Sequence, residues 1–164
     1  MSLYAKFVLP RVIDLAMKNP QTRRLREAWI PQAKGDVLEI GIGSGLNLGF
    51  CSRHVNRVYG VDTSPELQRM ARKRAGRTDV EFLLQSAENP LPLTSGSIDT
   101  IVLTWTLCSI PDPQKALRKM KRVLKSDGRL IFIEHGLAPE SGVAAWRDRL
   151  TPIWKHIGGG CHLK

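Results

Sequence analysis

The stretch VLEIGIGSGLN, residues 37–47, decides the fold of this 164-residue chain. Val37–Ile40 is an almost wholly apolar run, and it ends at three glycines that alternate with other residues, Gly41, Gly43 and Gly45. Glycine has no Cβ, so such a loop turns tightly and lets its backbone approach a ligand. The segment therefore predicts a buried strand, a ligand-binding loop and then the start of a helix.

Four more apolar runs of strand length follow along the chain: Val58–Val61, Val80–Leu84, Thr100–Leu103 and Leu130–Ile133. Continuous runs of this kind suit a parallel sheet that is covered on both faces. Helical patterns separate several of the runs. This alternation predicts a doubly wound, Rossmann-like α/β fold with five strands in a mostly parallel sheet.

Two of the helices have clear start signals, Ser64-Pro65 and Asp112-Pro113, in each of which a capping residue precedes proline. After the second signal, apolar residues recur every three or four positions over Ala116–Leu124. We expect that helix to stop near Gly128, because glycine readily forms a left-handed cap.

The first 33 residues predict a helical N-terminal extension, and residues 34–164 predict the α/β domain, within a single domain overall. Pro20 and Pro31 bracket a second short helix in the extension. The apolar residues that share one face of the first helix are Val8, Val12, Leu15 and Ala16.

The chain carries 25 Lys and Arg against 15 Asp and Glu, a formal net charge of +10. Most of these cations fall on solvent-facing stripes of predicted helices, and only 6% of the residues are aromatic. Nucleic acid is therefore disfavoured as a partner, since single-strand binding needs stacking platforms. The sequence has no apolar run of membrane-spanning length and no signal-peptide pattern.

The cysteines and histidines predict no metal site. Cys51, Cys108 and Cys161 are an odd number without metal-ligand spacing, which favours a reducing, cytoplasmic location. Cys108 has no adjacent basic residue, and we interpret it as a buried structural cysteine.

An acidic residue, Asp62, ends the second apolar run, 21 residues after Gly41. A carboxylate at that place can accept both hydroxyls of a ribose. The alternative is an acid that the dipole of the next helix favours. Leu46 stands where the dinucleotide fingerprint needs its last glycine, and no Lys-Ser/Thr pair follows the loop, so neither a dinucleotide fingerprint nor a P-loop is present.

Taken together, these motifs resemble the class I S-adenosylmethionine-dependent methyltransferases, in particular the ubiquinone/menaquinone-biosynthesis-like group. Three segments resemble a bacterial branch similar to the animal thiol methyltransferases. The motifs shared with the wider class are the glycine loop, VYGVD at 58–62, SAE at 86–88 and RVLKSDG at 122–128. Those of the branch are WTLCSIPD at 105–112, EHG at 134–136 and GGCHL at 159–163.

The resemblance implies S-adenosylmethionine as methyl donor and S-adenosylhomocysteine as product. It places Gly41, Gly43 and Gly45 at the methionine part, Asp62 at the ribose, Ser86, Ala87 and Glu88 at the adenine, and Thr104 beside the sulfonium. Glu39 and Asn47, at the two ends of the glycine loop, belong to the same predicted set. Ser86 stands where relatives often carry an aspartate that meets the adenine amino group.

The resemblance also implies a small lipophilic acceptor, namely a thiol, a quinone or a lipid. An RNA-modifying methyltransferase and a truncated cofactor-binding protein without turnover are the alternatives. No catalytic triad is expected, because the sulfonium already activates the methyl group. If a base is needed, His135 is the candidate, since it follows the fifth run on the ligand side. A histidine that bonds a backbone carbonyl is the alternative.

The sheet of the resembled family has seven strands and ends in an antiparallel hairpin, which is missing from the pattern here. Either the sequence is a fragment, or the fifth strand is left as an exposed edge. For an exposed edge we expect pairing with a second copy of the chain or poor stability. A stable monomer in size-exclusion chromatography would contradict this expectation. The basic N-terminal helices also suggest peripheral contact with an anionic membrane.

Overall fold

A computed structural model describes residues 4–134 of the chain. The helices are a π-helical turn (Tyr4–Val8), α1 (Leu9–Ala16), α2 (Pro20–Trp29), α3 (Pro65–Arg74) and α4 (Pro113–Val123). The strands are β1 (Gly35–Ile40), β2 (Val55–Asp62), β3 (Val80–Leu84), β4 (Ile98–Thr104) and β5 (Leu124–Ile133). Three 3₁₀ turns span Ile30–Gln32, Leu48–Phe50 and Leu107–Ser109.

The five strands form one parallel sheet in the order β3-β2-β1-β4-β5. This confirms the predicted Rossmann-like α/β fold. The chain moves outward from β1 to β2 and β3, then returns to the other side of β1 with β4. Ligands of such sheets bind at the carboxyl ends of the strands where the order reverses. That point lies between Ile40 of β1 and Leu103 of β4, which are register partners.

The sheet is covered on both faces, which explains why its strands are continuous apolar runs. On one face Leu38, Ile40 and Ile101 pack with Met120 and Val123 of α4. On the other face the core residues include Ile30, Val37, Ile42, Leu48, Val58 and Val102. Ile30 belongs to the turn after α2, so the N-terminal segment helps to cover the second face of the sheet.

Both predicted helix starts are confirmed by side-chain caps. Ser64 accepts a hydrogen bond from the backbone N–H of Leu67 (3.2 Å), and Asp112 accepts one from Lys115 (2.9 Å). A third cap, not predicted, opens α2, where Asn19 accepts from Thr22 (3.0 Å). Each cap satisfies an N–H that has no partner within its own helix.

Two local predictions were wrong. The glycine loop opens no α-helix but only the 3₁₀ turn Leu48–Phe50, because Gly49 disfavours helix and the chain turns to an extended conformation at Cys51 (φ −59°, ψ 129°). Helix α4 ends at Val123 and not near Gly128. Leu124 is extended and pairs with Ile98, so β5 begins there, and Gly128 does not adopt a positive φ.

The N-terminal helices bury polar residues in place of apolar ones. Asp14 of α1 and Thr22 and Arg26 of α2 are buried, whereas the shared apolar face of α1 is exposed. Within residues 4–134, no helix is both long enough and apolar enough to cross a bilayer. The domain division at residue 34 stays a prediction.

Several predictions concern residues outside the described range. His135, Cys161, the GGCHL motif and the predicted absence of the C-terminal hairpin all concern residues beyond 134. Strand β5 is an edge of the described sheet, and its pairing with a second copy stays a prediction.

The packing predicts a clear difference between two leucine truncations. Leu38 in β1 is 0% exposed and Leu117 on α4 is 39% exposed. We expect Leu38→Ala to lower the free energy of unfolding by about 2–5 kcal/mol, because a buried cavity adds to the lost transfer energy. Leu117→Ala should cost clearly less. Urea denaturation followed by circular dichroism measures both, and equal losses would contradict the described core.

Candidate cofactor site

The candidate site lies at the carboxyl ends of β1, β2 and β4. The loop after β1 turns back over the end of β2. Both Gly41 and Ile42 donate their backbone N–H groups to the carbonyl oxygen of Val61, at 2.8 and 3.1 Å. The loop is therefore attached to the neighbouring strand at its first step.

Glycine is favoured at two positions of the loop for different structural reasons. Gly41 and Gly43 have φ angles of 70° and 53°, a region that side chains disfavour. A Cβ on Gly41 would clash with the side chain of Thr106, so that position is required for packing. A Cβ on Gly43 would meet nothing nearer than 3.8 Å and would project into open space. The backbone of Gly43 is therefore open to the space beside the loop.

Asp62 joins the loop to the end of β2. Its Oδ2 accepts the N–H of Gly43 and its Oδ1 accepts the N–H of Ser64, both at 2.8 Å. Burial raises the pKa of this carboxyl, and the backbone hydrogen bonds from Ser64 and Gly43 oppose the rise. A carboxylate oxygen has more than one lone pair, so Asp62 can hold the loop and still accept ribose hydroxyls.

A buried polar network ties the loop to three other elements. Asn47 donates through Nδ2 to Glu39 Oε1 (2.7 Å) and Thr104 Oγ1 (3.1 Å). Its Oδ1 accepts from Nε of Arg26 (2.9 Å). All four residues are buried. The last residues of β1 and β4, the glycine loop and α2 thus meet at one amide.

The carboxyl of Glu39 is the electrostatically unusual group of this network. Burial raises the pKa of Glu39 from its ordinary 4.5 to about 8. The hydrogen bond from Asn47 and the charge of Arg26 act in the other direction, and the charge of Asp62 adds to the rise. A ligand cation placed nearby would favour the ionised carboxylate.

A second set of hydrogen bonds and ion pairs connects α1 to the glycine loop. Asp14 accepts a hydrogen bond from Ser44 Oγ (2.5 Å), pairs with Arg74 (2.6 Å) and pairs with Lys18 (2.7 Å). Arg74 also donates to the carbonyl oxygen of Ser44 (2.7 Å). Burial alone would favour the neutral acid, but the bonds from Arg74, Lys18 and Ser44 hold the pKa of Asp14 well below its usual range.

The structure brings most predicted site residues together. Glu39, Asn47 and Thr104 are bonded, and Gly43 is bonded to Asp62. The predicted adenine-side loop lies next to Asp62, whose carbonyl oxygen accepts the N–H of Gln85 (3.1 Å). In that loop Ser86, Ala87 and Glu88 are buried or half-buried, and the side chains of the first and last lie 3.2 Å apart. The roles of these residues stay predictions.

Four residues near the site were missed by sequence reasoning: Asp14, Arg26, Trp105 and Glu134. The guanidinium of Arg26 lies 4.8 Å from the ring centroid of Trp105, whose own φ is 50°. Glu134 accepts the N–H groups of Thr106 (2.6 Å) and Leu107 (2.8 Å). Trp105 and Glu134 lie in the quoted motifs at 105–112 and 134–136 but had no role assigned to them, and Asp14 is an aspartate inside the apolar pattern of α1. No grouping of three His, Cys, Asp or Glu that could hold a metal occurs within residues 4–134.

Comparison with known proteins finds a family match over residues 38–132, which is described as a methyltransferase domain. The thiol S-methyltransferase TMT1B of Rattus norvegicus is 37% identical over 132 residues, 77% of this chain and 54% of the relative. The ubiquinone/menaquinone biosynthesis C-methyltransferase UbiE of Campylobacter jejuni is 32% identical over 158 residues, 95% of this chain and 63% of the relative. The chain therefore spans little more than half the length of these relatives.

Comparison with solved structures also finds a protein of similar fold. The crystal structure of the YcgJ protein from Bacillus subtilis has a TM-score of 0.65 to this chain. The two are 30% identical, and the match covers 81% of this chain and 56% of the other.

The position of Asp62 predicts that replacing this residue weakens ligand binding. We expect Asp62→Ala to weaken binding of S-adenosylhomocysteine by roughly 10- to 100-fold, because hydrogen bonds to a charged group are lost. Titration calorimetry measures the change. The matched control is Asp79→Ala, which removes an exposed carboxylate paired with Arg57. Equal affinities for the two variants would contradict the placement of the site.

The raised pKa of Glu39 predicts a pH dependence of stability. Between pH 4.5 and about 8 the folded state binds more protons at this group than the unfolded state does. The contribution of Glu39 therefore falls as pH rises through that window, by on the order of 1 kcal/mol per pH unit, and is constant above it.

The variant Glu39→Gln isolates this contribution, because the amide cannot ionise and can still accept the bond from Asn47. Urea denaturation between pH 5 and 9 gives the free energy of unfolding of both proteins. We expect the difference between wild type and Glu39→Gln to decline as pH rises. Glu27→Gln is the control, since that carboxylate is exposed and paired with Arg23. A flat difference curve for Glu39→Gln would show that the carboxyl is not held neutral.

Proposed function

The chain belongs to the methyltransferase-domain family, and on that basis we propose that it transfers a methyl group from S-adenosylmethionine to a small lipophilic acceptor. The observation that carries the proposal is the Gly43–Asp62 pair, where an open glycine backbone lies 2.8 Å from a carboxylate at the end of β2. The open backbone of Gly43 suits the amino-acid portion of the donor, and the carboxylate of Asp62 suits its ribose.

Three features of the residues present fit this cofactor. A Cβ at Gly43 would occupy the open space that the donor needs. Asp62 retains lone pairs for two hydroxyls. The Glu39 carboxyl lies one hydrogen bond from the loop and can ionise to balance a positive charge. When bound, the cofactor supplies a methyl group that its sulfonium already activates for transfer.

The chain's own contribution is positioning rather than acid-base chemistry. Asp62 holds both the loop and the ribose position. Asn47 keeps Thr104 and Glu39 in one arrangement at the ends of β4 and β1. The loop Ser86–Glu88 lies beside Asp62, where the adenine would extend along the strand ends. His135 as a base for the acceptor stays a proposal and lies beyond the described residues.

Two observations support a lipophilic acceptor, with a thiol as the first choice. The half-buried side chains of Trp105, Leu107 and Ile110 make the carboxyl end of β4 apolar, and Leu107 and Ile110 also pack against the core. An apolar surface at this place suits a lipophilic acceptor. Among the relatives, the rat protein is a thiol S-methyltransferase at 37% identity and the Campylobacter protein a quinone-pathway C-methyltransferase at 32%.

We therefore expect formation of S-adenosylhomocysteine when the protein is incubated with S-adenosylmethionine and a hydrophobic alkyl thiol. The methyl group ends on the thiol sulfur and the thiol proton is released to solvent. Mass spectrometry detects both products, and the alcohol of the same chain length is the matched control acceptor. Asp62→Ala should abolish the signal.

The outcomes separate the two levels of the proposal. Methylation of a quinol but not of the thiol would refute the thiol assignment and keep the lipophilic class. Tight binding of S-adenosylhomocysteine with no methylation of thiol, quinol or lipid would refute turnover by this chain. Absence of cofactor binding by a folded sample would refute the site itself.

A further inference from the structure

Helix α1 buries an aspartate and leaves large apolar side chains exposed. Val12 and Leu15 of α1, and Val8 just before it, are 50%, 74% and 46% exposed, whereas Asp14 is 6% exposed beside the buried Pro10. A surface helix normally turns its apolar stripe toward the core and its charges toward water. Val8, Val12 and Leu15 form what we name the α1 ridge.

The outward direction of the α1 ridge is held by specific bonds. Asp14 is bound by Arg74 from α3, by Ser44 from the glycine loop and by Lys18 from its own helix. Turning α1 to bury the ridge would pull Asp14 out of this ion pair and leave Arg74 without its carboxylate. Breaking a buried charge pair on one side is strongly destabilising. The exposure of the ridge is therefore part of the fold.

Unpaired cations lie directly beside the ridge. A cavity of about 340 Å³ between α1 and α3 is lined by Phe7 and by Arg11, Arg69 and Lys73. Within residues 4–134, none of these three cations forms an ion pair with a carboxylate. Glu66 is the one acidic residue of the lining. An apolar ridge next to uncompensated positive charge matches the pattern of helices that lie in a membrane interface.

We propose that the α1 ridge and the adjoining cations dock on an anionic phospholipid bilayer. In this arrangement the ridge enters the boundary between headgroups and acyl chains, and the cavity receives lipid phosphate. The proposal concerns binding and does not depend on methyl transfer. Because Asp14 ties α1 to Ser44 of the glycine loop, docking would bring the candidate site close to the membrane surface, where a lipophilic acceptor is dissolved.

Charge complementarity favours a bilayer over the other two occupants. A second copy of the chain also carries a net charge of +10 and would bring the same cations against Arg11, Arg69 and Lys73. Residues 135–164 contain four Lys and Arg and two Asp and Glu, a net of +2, so they too add positive charge. An anionic lipid surface is the occupant that satisfies both the apolar ridge and the cations.

The test is flotation of the full chain with vesicles, without substrate. We expect binding to vesicles of phosphatidylcholine with about 30% phosphatidylglycerol, weaker binding to phosphatidylcholine alone, and loss of binding at high salt, because surface charge attraction is screened. Val12→Ser/Leu15→Ser should weaken anionic binding at least about tenfold, since apolar area that would enter the interface is removed. Arg69→Gln/Lys73→Gln should weaken it similarly, since attraction to anionic lipid is removed.

Matched controls place equal changes on other surfaces. Leu84→Ser/Leu117→Ser removes two exposed apolar side chains from β3 and α4. Lys115→Gln/Lys121→Gln removes two exposed cations from α4. Both controls should bind anionic vesicles as the unchanged chain does. Thermal unfolding and S-adenosylhomocysteine binding of every variant show whether the fold is retained.

Three results would overturn the proposal. Equal loss of vesicle binding in test and control variants would indicate general attraction to the +10 surface. A dimer in light scattering that Val12→Ser/Leu15→Ser dissociates, without vesicle binding, would assign the ridge to a second copy. A melting temperature lowered by Val12→Ser/Leu15→Ser well beyond its control would show that the chain itself covers the ridge. None of these depends on methyl transfer, so failure here is distinct from failure of the proposed function.

Discussion

The candidate site depends on the buried side-chain amide of Asn47. It accepts from Arg26 on one side and donates to Glu39 and Thr104 on the other. Removing any partner would leave a buried polar group unsatisfied, which costs more than the net gain of one hydrogen bond. The amide therefore links α2, the glycine loop and the ends of β1 and β4 into one arrangement.

Local signals in the sequence were enough for the sheet and for the residues that meet at the ends of β1 and β2. Glycines after β1, an acid at the end of β2 and capping residues before prolines each act within a few residues. Long-range pairs were not accessible in this way. Arg26 and Asn47 are 21 positions apart, and Asp14 and Ser44 are 30 apart. Nothing in the spacing of either pair indicates that the two residues meet.

The errors have physical causes of the same kind. Helical periodicity continued through Leu124, but pairing with Ile98 in the neighbouring strand took precedence over helix propensity. Periodicity also showed that Val8, Val12 and Leu15 share a face of α1, yet it could not show which way that face points. The ion pair of Asp14 with Arg74 decides that, and it turns the apolar face outward.

We propose that an S-adenosyl ligand lies across the ends of β1 and β2, between Gly43 and Asp62. The decisive experiment is a crystal structure of the chain with S-adenosylhomocysteine bound. We expect both ribose hydroxyls to bond to Asp62, the amino-acid part to lie on the backbone of Gly43, and Asn47 to keep its bonds to Glu39 and Arg26. A ribose held by other residues, or a ligand elsewhere on the chain, would refute this placement.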